Sequence, residues 1–157
     1  MSTKNDYSAE EWKAIASAPV AAGLLITLSD TSGPVGIAKE AMAVGRAITD
    51  AAQGQAPEIV KSIATSLKDN GRPESPNVPM MGSRAESKMA LTSTIKNAVD
   101  AVERHSPAEA QPYKTWLAAV ARKVAEASKE GGFLGIGGTL VSAKEEEALK
   151  ELDEVLH

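Results

Sequence analysis

Apolar residues recur at intervals of three and four along almost the whole of this chain, and that period suits one kind of backbone. Ala21, Leu24, Leu25 and Leu28 share one face of a 3.6-residue helix, as do Ile59, Val60, Ile63, Ala64 and Leu67. Leu91, Ile95, Ala98, Val99 and Val102 make a third stripe, and Trp116, Val120 and Val124 a fourth, flanked by Leu117 and Ala121. Ala148, Leu149, Leu152, Val155 and Leu156 make the last. No stretch alternates apolar and polar residues as a half-buried strand does. Apolar residues form 43% of the chain, yet it holds only two Trp, two Tyr and one Phe, so alanine supplies much of that fraction. Alanine favours close helix packing over strands. The expected fold is all-α.

Punctuation agrees with the stripes. Ser8-Ala-Glu-Glu11 and Ser142-Ala-Lys-Glu145 read as capping boxes, in which hydroxyl and carboxylate satisfy free amides of a first turn. Pro19, Pro34, Pro57 and Pro107 suit first-turn positions, where an amide has no helical partner to lose. Helices are therefore expected over 8–17, 18–30, 35–53, 57–69, 84–105, 107–129 and 142–156. They should form a single domain over 1–157, of six to seven helices in an orthogonal or bundle-like arrangement. Residues 70–83, NGRPESPNVPMMGS, hold three prolines and two glycines and read as the one long irregular connection. A loop of this length is often functional or mobile, and the plainer alternative is an extended crossover anchored by Met80 and Met81.

The two ends of the chain echo one another. Tyr7 and Trp12 open the first, Tyr113 and Trp116 the second, and Ala38-Lys39-Glu40 recurs as Ala143-Lys144-Glu145. An internal pseudo-twofold repeat of 7–53 and 107–157 is one expectation from this.

Several function classes are disfavoured. Seventeen basic residues against 21 acidic ones give a net charge of −4, which argues against phosphate-driven nucleic-acid binding. The absence of cysteine removes thiolate metal sites and thiol nucleophiles. The N-terminal sequence lacks the charged start and apolar stretch of a signal peptide. The apolar run from Ala18 to Leu28 is about half of the ~20 residues a membrane span needs. Cytoplasmic location and no membrane association are the expectations. Only His105 and His157 could serve as imidazole bases, and no G-x-S-x-G elbow accompanies them.

The segment GGFLGIGG at 131–138 invites a phosphate-loop reading, but Gly138 stands where the P-loop lysine belongs and no strand precedes it. The simpler expectation is a hinge: Gly131 or Gly132 closes a helix, and Phe133, Leu134 and Ile136 plug the core. Asp30 opens a segment that fails the EF-hand pattern, with Pro34, Val35 and Ala41 where an oxygen ligand, a glycine and a glutamate are required. The looser pattern of Asp30, Gly33 and Glu40 is similar to the helix–acidic turn–helix of tellurite-resistance TerB-like domains. That resemblance makes Asp30 and Glu40 candidate metal ligands, and the second acidic turn, which the pseudo-repeat would bring beside the first, adds Glu130 and Glu145. Glu145, Glu146 and Glu147 read as a solvated, acidic first turn suited to the helix dipole. Trp12 and Trp116 are expected core pegs and, alternatively, interface anchors.

No motif assembles catalytic chemistry, and no cofactor is implied. The leading expectation is a non-catalytic helical protein acting through contacts with other proteins or with itself. The alternative is a helical small-ligand or metal-binding domain.

Overall fold

A computed structural model describes residues 2–29, 34–79, 81–129 and 143–157. Among them a 3-10 turn at Lys4–Asp6 precedes α1 (Ala9–Ser29), α2 (Pro34–Gln53), α3 (Glu58–Asn70), α4 (Arg84–His105), α5 (Pro107–Lys129) and α6 (Ala143–Leu156), with no strand. The protein is all-α, with these helices packed around one core.

α1 lies at the centre and touches every other helix. The expected break at Pro19 does not occur, and 8–17 and 18–30 are one helix of 21 residues. An interior proline donates no amide, so the carbonyl four residues earlier loses its helical partner. That carbonyl belongs to Ile15, and the buried Tyr113 hydroxyl donates to it at 2.9 Å from α5. The hydrogen bond that Pro19 removes is thereby replaced from outside the helix. Ser17, also buried, turns its hydroxyl back onto the Lys13 carbonyl at 2.7 Å.

Joining the two segments also changes the reading of α1's length. α1 is long and apolar enough to span a membrane, with a mean hydropathy of 1.4 in its most apolar window. Yet 61% of that window is buried inside the fold, as expected of a central helix with neighbours on every side.

The capping box at Ser8 forms. The Ser8 amide donates to Glu11 Oε2 at 2.9 Å, and the Glu11 amide donates to Ser8 Oγ at 3.2 Å. A second box, at Ser83 and Glu86, opens α4, while the one expected at Ser142 falls outside the described residues. At α3 the N-cap is Pro57, which has no side-chain acceptor. Glu109 of α5 takes that role, accepting from the Ile59 amide at 3.3 Å and from the Ser2 hydroxyl. This ties the N-terminal residues, α3 and α5 together.

The connection at 71–79 is irregular, as expected, but the anchors expected of a crossover differ. Met81 is 99% exposed, while the half-buried Val78 packs on the core. Met80 lies outside the described residues. The internal duplication is not confirmed. Tyr7 precedes α1 and donates to Ser106 Oγ at 3.1 Å, whereas Tyr113 sits inside α5 and bonds a helix carbonyl. The two tyrosines therefore do different structural work.

Candidate functional site

A cleft of about 250 Å³ opens between α1, α2 and the start of the 71–79 connection. Val20, Gly23, Leu24 and Thr27 line it from α1, a spacing of three, four and seven residues that puts all four on one helix face. Ala41 and Val44, three apart on α2, form the opposite wall. The third side exists because Gly71 closes α3 in the left-handed conformation, with φ of 69°, which a β-carbon disfavours. The chain turns out of α3 there, and Arg72, Pro73 and Ser75 pass along the rim.

Gly23 sets the cleft's width. A β-carbon at this position would stand 2.8 Å from Val44 Cγ2 and 3.3 Å from Val124 Cγ2. Its absence lets α1 approach α2 and α5 closely. The Thr27 hydroxyl donates to the Gly23 carbonyl at 3.1 Å. Arg72 is the one charged residue among the described residues lining the cleft, and no described acidic residue forms an ion pair with it. Among the described residues the cleft thus has an apolar floor and a single cation at its mouth. Such a chemical division suits binding and orientation of a small amphipathic molecule.

Two other recesses are less convergent. Where α4 and α6 begin, Arg84, Lys88 and Lys144 share a wide recess of about 390 Å³ with Glu147 and Glu151, and Lys88 is paired with Glu151. Local charge there is close to balanced. A shallow groove of about 200 Å³ between α2 and α5 is lined by the half-buried Trp116 together with Asp50 and Lys123.

The sequence-derived candidates fall elsewhere. Asp30, Glu130 and the glycine-rich loop, including Gly131, Gly132, Phe133, Leu134 and Ile136, lie outside the described residues, and so does the side chain of Glu40. Glu145 is described and contradicts the solvated reading, being 1% exposed at the start of α6. Glu146 and Glu147 remain exposed. A carboxylate in a first turn faces the positive end of the helix dipole, which favours its placement there. Among the described residues no group of three or more His, Asp or Glu is placed to hold a metal. Trp12 is 6% exposed with its ring 6.2 Å from that of Tyr7, which makes it a core residue.

His105 occupies the last turn of α4, its Nε2 3.3 Å from Glu11 Oε1 and its ring edge-on to Tyr7 at 5.3 Å. Arg104 reaches the same Glu11 oxygen at 2.7 Å. The Ser8 amide, then the Ser8 hydroxyl and His105, hold the Glu11 carboxyl down to about 2. Glu11 is therefore a fixed anion at neutral pH rather than a proton donor. This group joins the start of α1 to the end of α4.

Sequence reasoning misses the cleft, although two signals point to it. Gly23 interrupts the apolar stripe of α1, and Arg72 is the only basic residue in 70–83. In comparisons with known proteins, the chain matches no family model, no curated protein and no solved structure.

Proposed function

We propose that this protein is a non-catalytic helical binding domain whose site is the cleft between α1 and α2, and that its ligand is a small molecule with an apolar body. The observation that carries the reading is the cleft's construction: a recess of about 250 Å³ on an apolar floor, with one charged side chain among the described residues at its rim. No nucleophile–base pair or carboxylate pair is among the described residues lining it, which favours binding over turnover. The reading places the protein in the cytoplasm, without a bound cofactor or metal and without nucleic acid.

A thermal-shift screen of the intact chain against small aliphatic and aromatic compounds tests the proposal. Compounds that raise Tm should lose their effect in Val20→Phe, which fills the recess from its half-buried wall. Stabilisation that persists in Val20→Phe, or no stabilising compound at all, would contradict the reading.

A second reading, contact with another protein chain or with a second copy, is favoured by a different observation. Met42, Met81 and Met89 are 58%, 99% and 70% exposed, and methionine is an adaptable contact residue at protein surfaces. Sedimentation at rising concentration checks self-association. A sedimentation coefficient that stays monomeric throughout would remove that form of the second reading.

A further inference from the structure

We infer that the ligand of the α1–α2 cleft is a short aliphatic monocarboxylate of about six carbons, its tail lying between Val20, Leu24 and Val44 and its carboxylate on Arg72. The inference rests on the binding reading above and adds the ligand's chemical class.

Size comes first. The recess of about 250 Å³ lies just below the roughly 300–1,000 Å³ of sites that hold drug-sized ligands, which suits a short chain. Chemistry narrows the choice further. Valine and leucine side chains meet the tail, and an aliphatic tail gains by leaving water there. The Thr27 hydroxyl is already committed to the Gly23 carbonyl at 3.1 Å, so it adds wall rather than a free donor. No acidic side chain is among the described residues lining the cleft, which disfavours an amine head group.

The head group follows from Arg72. Arg72 is the one charged residue among the described residues lining the cleft, and no described acidic residue pairs with it. Its planar guanidinium presents two parallel N–H donors, the geometry that a carboxylate accepts. Ser75 stands beside it at the rim with a hydroxyl suited to a further hydrogen bond. One cation neutralises one negative charge, which favours a monoanion over phosphate. The position of Arg72 is also fixed by its neighbours: Gly71 sets the turn before it, and Pro73 restricts the backbone of the residue it follows.

Isothermal titration of the intact chain with hexanoate and with 1-hexanol, repeated with Arg72→Gln, tests the assignment. Hexanoate is expected to bind about tenfold or more tightly than hexanol, and Arg72→Gln should abolish that margin. Arg72 is exposed, so an unchanged melting curve should confirm that the variant folds. Equal affinity for the two compounds, or undiminished hexanoate binding by Arg72→Gln, overturns the carboxylate assignment and leaves the cleft reading intact. Inorganic phosphate displacing hexanoate at equal concentration would show that charge alone is recognised, which also overturns it. Binding of neither compound overturns the assignment, and the cleft reading falls with it only when the wider screen is empty too.

Discussion

Pro19 and Tyr113 are separated by most of the chain, yet each makes the other tolerable. A proline inside a helix costs about 3 kcal/mol or more where nothing compensates, and here the orphaned Ile15 carbonyl receives the Tyr113 hydroxyl. Replacing Tyr113 with Phe should leave that carbonyl unsatisfied in the core, at a cost of about 1–3 kcal/mol. In a Pro19→Ala background the cost should shrink, because the amide regained at position 19 would again reach Ile15. A double-mutant cycle by urea unfolding measures this coupling, and additive effects would disprove it. Burial, with a smaller contribution from Tyr7, pushes the Tyr113 phenol well above its ordinary value of 10.0. The folded state therefore holds this proton more tightly than the unfolded chain does. The resulting stability is complete below pH 10 and falls as pH rises through that value. Tyr113→Phe should flatten the alkaline fall in stability, which unfolding curves collected across that range would reveal.

Among the helices, α1 acts as a scaffold with two faces. One meets α4 and α5, and the other meets α2 and opens into the cleft. Gly23 lies where those demands meet, since a β-carbon there would press on Val44 and Val124. Gly23→Ala should destabilise by about 1–3 kcal/mol through overpacking, reduced by ~1 kcal/mol of gained helix propensity. With Val44→Ala already in place the penalty should largely vanish, since the 2.8 Å approach involves Val44 Cγ2. Equal penalties in both backgrounds, measured by chemical denaturation, would mean that the α1–α2 approach does not limit the packing. The same elements show which parts of the fold are legible in the sequence. Stripe periodicity locates every described helix from α2 to α6 within about two residues at each end, because amphipathic period is a local property. Continuity through Pro19 is not legible, because the compensating hydroxyl comes from α5. Nor is the burial of Glu145: a run of three glutamates looks solvated until the packing of α6 singles one out. The N-terminal cap of α3 is hidden for the same reason, since Glu109 belongs to another helix.

For the molecule entire, the all-α class follows from the sequence while the site does not. Acidic turns attract attention as ligand sites because carboxylates are conspicuous in a chain of letters. The cleft instead lies where Gly23 lets α1 come close to α2, and its rim is a residue carried over from the end of α3. Both are three-dimensional facts, and neither has a motif. Function then turns on whether this recess binds a small molecule with an apolar tail and a carboxylate head. Methyl NMR of the intact chain, titrated with hexanoate, decides the matter at the residues concerned. Saturable shifts should concentrate on the methyls of Val20, Leu24 and Val44, with smaller changes on the buried methyls of Leu91, Ile95 and Val102 in α4. Shifts spread evenly over the surface, or centred on the Trp116 groove with those three methyls unmoved, would refute the assignment of the cleft.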